Sequence, residues 1–425
     1  MSPLRAIVYL GVAGGGALLA WVLAGSVVPD GLSLPEIDVD ATFGRELVDQ
    51  AERYERFLYV DYLLAQLVLL ATLAVYARHG ARFARESAAG PIGTGMLLGM
   101  LGLAIAWLTL LPFSVAALWW DRRNGVSEVG YLEWIFGDWL ALGGTFVASC
   151  LALLVVMALA RWLGSWWWIP GAGVFAAIAI ALVFVGPYLV TGLERPVDPE
   201  LQQTYDRFER EQGVDDIPLR IEEVSGDTSQ ANAYAFGLGP SARIVLWDTL
   251  LDGRFTDREV NVVLAHELGH HSSDHILESI GWFGLFALPG SLALVIATRR
   301  RGGMGEPAAV PLALLVTAVV QLALAPAQNQ VSRHMEGEAD WKALETTGDP
   351  VAAEGLFRGF SSTSLGDPSP PTWAYVFLQS HPTLSQRVAM AKAWASESPR
   401  VGHVLSHPAS LTERDRTCTF IQSND

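Results

Sequence analysis

Lysine is almost absent from this chain, occurring only at Lys342 and Lys392 in 425 residues, so arginine carries nearly all of the positive charge. Acidic residues number 44 against 28 lysines and arginines, a formal net charge of −16. With no basic stripe to neutralise phosphates, a nucleic-acid partner is excluded. Charge of either sign is scarce: 17% of residues are charged, 51% are hydrophobic, and tryptophan occurs 15 times. A surface facing only water could hardly be built from that balance, so the lipid bilayer is an expected partner. The two cysteines, Cys150 and Cys418, show no CxxC spacing, which argues against a disulfide framework and against a thiolate metal site. Internal repeats and low-complexity linkers are also missing.

What is present is a series of long apolar runs. Uncharged stretches near the roughly 20 residues that cross a hydrocarbon core lie at 6–28, 90–120, 139–160, 163–193, 279–298 and 307–331, and a further one at 57–77 carries Asp61 and Gln66. Seven spans are expected. The first is too long, and its leading region too poor in charge with Arg5 alone, to read as a cleavable signal peptide. Asp61 reads as a solvated or cavity-facing carboxylate, and Trp119, Trp120, Trp166, Trp167 and Trp168 as aromatics at the membrane interface.

Polar composition returns at 194–278 and again after 331. The first of these segments shows a helix at 199–212 and strand-like runs at 219–224, 231–236 and 243–247, divided by Gly and Pro turn signals. A small α+β unit with a three-stranded sheet is expected. Arginine in the short loops favours the other side of the membrane: Arg5, Arg78, Arg82, Arg85, Arg161, Arg299, Arg300 and Arg301 against Arg45, Arg53, Arg56, Arg122 and Arg123. The positive-inside rule thus leans towards the polar unit lying outside the cytoplasm.

The segment TDREVNVVLAHELGHHSSDH opens with Thr256 and Glu259 at capping-box spacing and continues with apolar residues at helical intervals. On that helix His266 and His270 are one turn apart, so both imidazoles leave one face and can share a tetrahedral zinc ion, while Glu267 lies beside the ion. Zinc-polarised water with a neighbouring carboxylate to take its proton is the chemistry of peptide-bond hydrolysis. A bare HExxH also occurs by chance on surface helices. A third ligand is required, and in NQVSRHMEGEADWKALETTG Glu336 and Asp340 share a helix face, with Glu338 pointing elsewhere. Glu336 as ligand with Asp340 orienting a ligand histidine satisfies the requirement. On spacing alone, an acidic solvated helix end fits nearly as well. His271 lies near the motif; His275 and His334 read as structural, His275 being about half a turn out of phase with His266 on a regular helix.

HELGH, SRHMEGEAD, the stretch SQANAYAFGLGPSARIVLWDTLL and the tail HPTLSQRV, in this order, resemble the integral-membrane zinc metallopeptidases of the type I CAAX prenyl protease family and, more distantly, the HtpX proteases. In the N-terminal half, LPFSVAALWWDRRNGVSEVGYLEWIFGDWL is similar to a loop of the CAAX branch. The resemblance implies that His266, His270 and Glu336 bind one zinc ion per chain, that Glu267 is the general acid/base, and that Asp340 is the outer carboxylate. It implies that Asn232, Ala233 and Tyr234 align an extended substrate by β-augmentation, although an ordinary hairpin strand reads equally well there. His381 and Arg387 would donate hydrogen bonds to the oxyanion or substrate carbonyl, or Arg387 would only pair with an acid such as Asp340. The metal unit would face the cytoplasm, against the arginine count, and a water-filled chamber would lie within the helix ring.

The expected fold is mainly α, a seven-helix transmembrane bundle with a small α+β zincin-type domain. Its parts are five spans in 1–193, the edge strand and HExxH helix in 194–278, two spans in 279–331, and the third ligand and tail motif in 332–425. The expected activity is zinc-dependent hydrolysis of membrane-associated peptides or proteins, lipidated ones included. Two other classes compete. A sensor protease would call for a further ligand-binding domain, which 399–425 does not suggest. A transporter-like protein with a structural zinc site is disfavoured by the intact HExxH and its downstream acids.

Overall fold

The computed structural model describes residues 3–406 except Val27, Asp30 and Asp215; Cys418 lies outside the described residues. Helices α1 (Pro3–Leu23), α2 (Val39–Phe43), α3 (Arg45–His79), α4 (Gly90–Arg123), α5 (Tyr131–Leu163), α6 (Trp168–Leu189) and α7 (Pro199–Gln212) precede the strands β1 (Leu219–Glu222), β2 (Ala233–Phe236) and β3 (Arg243–Trp247). Then follow α8 (Asp257–Ser272), α9 (His275–Thr298), α10 (Val310–Thr347), α11 (Pro350–Ser364), α12 (Thr372–Leu378) and α13 (Leu384–Ser406).

Among the described residues, six helical segments are long and apolar enough to cross a membrane, those containing α3, α4, α5, α6, α9 and α10. The uncharged apolar stretches predict seven. The stretch at 6–28 forms the 21-residue helix α1, within which Leu10–Ala20 is a shorter apolar segment among the described residues. The spans leave Leu67, Leu97, Leu108, Leu132, Leu140 and Leu182 at least half exposed. Such apolar area is untenable in water and expected against lipid. Pro112, Pro187, Pro289 and Pro326 lie inside helices, as spans tolerate when neighbours satisfy the freed carbonyls. Two tryptophans depart from the interfacial reading. Trp167 and Trp168 are buried, and Trp167 packs with Val156, Ala160 and Met304 where α5 meets the start of α10.

The polar unit forms as its sequence suggests. β3 is the central strand, parallel to β1 and antiparallel to β2, giving the order β1-β3-β2. One edge of β2 is therefore unpaired. Gly237 closes the β2 strand at φ +88, where a Cβ would meet the Ser241 carbonyl at 2.2 Å, so only glycine serves there. Ile244 and Leu246 on β3, Leu264 and Leu268 on α8, and Leu356 and Phe357 on α11 share one core. Each fully buried Leu contributes about 1.5–3 kcal/mol. Phe43 and Val48 belong to this core as well, so α2 and the start of α3 brace the polar unit before α3 continues as a span.

Candidate metal centre

α8 starts where the capping box sets it: Thr256 accepts from the Glu259 amide while Glu259 Oε2 accepts from the Thr256 amide at 2.7 Å. From that start the helical period turns Leu264 and Leu268 into the core and His266 and His270 to the opposite side, facing α10. Gly269, between them, lets α10 approach: a Cβ there would lie 3.2 Å from the Ala339 Cα. The α8–α10 contact is the most extensive helix pairing among the described residues.

This contact brings together three donors that are distant in sequence. The Nε2 atoms of His266 and His270 are 3.2 Å apart, Glu336 Oε2 is 3.2 Å from His266 Nε2, and Glu336 Oε1 is 3.6 Å from His270 Nε2. A tetrahedral ion with bonds of ~2.0–2.1 Å has edges of about 3.3 Å between its donors. Glu336 Oε2 is buried without a hydrogen-bond partner, although His381 Nε2 lies 3.3 Å away. Such an orphaned carboxylate oxygen facing two imidazoles fits a divalent cation. Among the described residues, His266, His270 and Glu336 are the group whose ligand atoms converge in this way.

The surrounding residues hold these donors in place. His266 Nδ1 is 2.9 Å from Asp340 Oδ1, and Arg387 donates to the same carboxylate through Nε at 2.8 Å and Nη2 at 2.6 Å. Arg387 thus pairs with the buried acid, the structural alternative of the two readings of its sequence. Glu267 lines the same cleft. Burial pushes its carboxyl up to about 7, against the pull of His266. His381 is half exposed at the cleft mouth, and burial of its ring within the surrounding groups lowers its pKa from the usual value. The cleft, about 410 Å³, is lined by Asn232, Ala233 and Tyr234 on the free edge of β2.

Some contributors were not legible from spacing. His275, expected to be structural, and Glu338, expected to point elsewhere, are both buried and joined, His275 Nε2 to Glu338 Oε2 at 2.9 Å. Arg333 donates to the Tyr375 and Gln379 carbonyls at 2.9 and 2.7 Å, which ties the segment ahead of His381 to α10. His334 bonds the Gly25 carbonyl, at 2.9 Å. His271 has an unpartnered buried Nε2 and does not line the cleft.

A membrane-embedded helical chain with an HExxH helix closed by a carboxylate from a second helix belongs, by fold and site, to the class of membrane metallopeptidases. Comparison with known proteins agrees. Residues 197–395 match peptidase family M48. An uncharacterized metalloprotease of Bacillus subtilis, YhfN, is 28% identical over 68% of this chain and 71% of its own length. A CAAX prenyl protease 1 homolog of Oryza sativa is 26% identical over 69% of this chain and 72% of its own. A protease HtpX homolog of Kineococcus radiotolerans is 27% identical over 64% and 98%. The crystal structure of S. mikatae Ste24p superposes with a TM-score of 0.70 over 92% of this chain and 99% of that one, at 17% identity. The chain is a multi-pass membrane metallopeptidase whose residues 197–395 are similar to the M48 peptidases.

Proposed function

We propose that this protein is a zinc-dependent endopeptidase that cleaves membrane-associated peptides or proteins. The observation that carries the reading is the convergence of His266, His270 and Glu336 on a common centre beside the buried Glu267, at the free edge of β2. The donor set, two imidazoles and one carboxylate, is that of hydrolytic zinc sites with one position left open. Zinc held there supplies Lewis acidity, lowering the pKa of an adjacent water towards ~7 and polarising a carbonyl oxygen.

The chain's own groups do the rest. An extended substrate adds to the unpaired edge of β2 at Asn232, Ala233 and Tyr234 by main-chain hydrogen bonds, which fixes its register without demanding a sequence. Glu267 takes the proton of the attacking water as the oxygen bonds to the peptide carbon, then gives it to the departing amine nitrogen. His381 Nε2, facing Glu336 across the cleft, donates to the carbonyl oxygen as charge develops there. Arg387 acts through Asp340, keeping the His266 ring in place, rather than on the substrate.

Membrane association of the substrate is supported by a second cavity, about 370 Å³, lined by Leu182 and Val183 of α6 and Ile280 and Phe283 of α9. It shares Ala235, Ile276 and Ser279 with the metal cleft. An apolar substituent of a bound peptide would thus find a hydrophobic recess next to the scissile bond. The catalytic unit comprises 194–278 and 332–425 and is assigned to the cytoplasmic face, which protease accessibility in oriented vesicles checks. The activity test compares fluorogenic-peptide cleavage by the purified protein, its chelated form and Glu267→Gln. Full activity in Glu267→Gln would overturn the proposal and revive a transporter-like protein with a structural metal.

A further inference from the structure

The two histidines that face the centre are supported differently. His266 Nδ1 meets a carboxylate directly, Asp340 Oδ1 at 2.9 Å. His270 Nδ1 meets another imidazole, His275 Nδ1 at 3.0 Å, and His275 Nε2 then meets Glu338 Oε2 at 2.9 Å. His275 and Glu338 are 2% and 4% exposed, so no bulk water competes for these bonds.

Proton positions follow from the geometry. His270 presents Nε2 to the centre, which leaves its proton on Nδ1 in the neutral ring. His275 Nδ1 must then accept, which puts its own proton on Nε2, and that N–H donates to Glu338. Each contact has one proton, and each ring has one tautomer. The backbone is arranged to make this possible. A continuous helix would carry His275 about 140° round from His270, at ~100° per residue. Instead α8 ends at Ser272, and Asp274 adopts φ 57 in the left-handed region, a conformation Asp tolerates better than most residues. The turn sets His275 as the first residue of α9, beside His270.

We propose that His275 and Glu338 form a hydrogen-bonded relay that fixes the tautomer and ring orientation of His270, making both positioning residues for metal binding. The inference rests on the reading that His266, His270 and Glu336 hold the ion. Glu338 takes through a histidine the part that Asp340 takes by direct contact, so that both outer carboxylates come from the same helix as Glu336.

The test uses the full chain in detergent, with zinc affinity from competition against a chromogenic chelator and the visible absorption of the Co²⁺-loaded protein as a coordination signature. His275→Phe keeps the ring volume but removes both nitrogens, and Glu338→Leu removes the acceptor; each should weaken zinc binding about 10–100-fold and alter the cobalt spectrum. Glu338→Gln keeps an acceptor oxygen and should stay within a few-fold of wild type. If His275→Phe does not fold, the comparison of Glu338→Leu with Glu338→Gln decides. Wild-type affinity and spectrum in His275→Phe, or in Glu338→Leu, overturns the relay, as does a Glu338→Gln protein as weak as Glu338→Leu. Wild-type protein that takes up no zinc overturns the metal reading itself, and the relay with it.

Discussion

Asp340→Asn separates holding the metal from holding the fold. The Asp340 carboxylate is 4% exposed and receives three contacts, from His266 Nδ1 at 2.9 Å and from Arg387 Nε and Nη2 at 2.8 and 2.6 Å. Asparagine keeps the shape but removes the charge, and it offers one oxygen where two accepted. The Arg387 guanidinium, itself 8% exposed, loses the carboxylate it is bonded to, and breaking a buried pair in this way costs about 3–5 kcal/mol. Separately, the His266 ring loses its charged acceptor, which for outer carboxylates of metal sites lowers affinity about 10–100-fold, or about 1.4–2.8 kcal/mol. Thermal unfolding of the chelated protein reads the first effect, and chelator competition reads the second. Adding Arg387→Met removes the unpaired cation, so the double variant should regain much of the stability while zinc affinity stays low. A double variant that recovers affinity together with stability would show that Asp340 acts only through the fold, and the orienting role would be refuted.

Three further outcomes are expected. Glu336→Gln should purify with well under one zinc per chain by elemental analysis; full occupancy would remove the carboxylate from the donor set. Glu267→Gln should abolish peptide cleavage and raise the thermal stability of the chelated protein at about pH 8 but hardly at about pH 5. The sign follows from burial, which raises Glu267 up to about 7 in the fold from ~4.3 in the unfolded chain: its contribution favours folding below the lower value and is lost as pH rises through the upper one. An equal effect at both pH values would contradict this. Gly269→Val should press on the Ala339 backbone, 3.2 Å from an added Cβ, destabilise the protein by about 1–3 kcal/mol and weaken zinc binding, since it separates the helices carrying the donors. Unchanged affinity in that variant would show that α10 adjusts without moving Glu336.

Much of the site was readable because the relevant signals are local. The capping box fixed the start of α8 at Thr256, and from that point the helical period set the faces of His266 and His270. The three strands form close to the predicted limits, since Gly and Pro bound them and their apolar residues are central to the core. Glu336 and Asp340 could be paired by spacing, but only the resemblance favoured them over a solvated helix end. His275 was read as structural, and its contact with His270 was not legible for a definite reason. Its phase was measured on an unbroken helix, whereas the chain turns at an Asp in left-handed conformation, which sequence does not flag as a glycine would. Glu338 was set aside because it lies off the Glu336 face, yet α10 is covered by α8 on one side and α9 on another, so two faces of it are interior. Phe43 and Val48 illustrate a third limit: between apolar runs nothing local says that a short segment returns to a distant core.

The placement of the donors has a consequence for how the centre assembles. His275 opens α9 and Glu336, Glu338 and Asp340 lie in the last turns of α10, two helices that carry apolar spans and pack on each other. His266, Glu267 and His270 come instead from α8. The strands and α8 can therefore form the edge and two of the donors, but the third donor and both outer carboxylates arrive only when α10 docks along α8. Interiors are close-packed and shift between discrete arrangements rather than yielding smoothly, so a change in the tilt between α9 and α10 would move Glu336 and His275 relative to His270 together. The packing of the two spans and the contact that builds the metal site are thus one arrangement. That is a physical reason for placing such a centre at the end of a transmembrane pair: the packing of two spanning helices also sets the spacing of the donors.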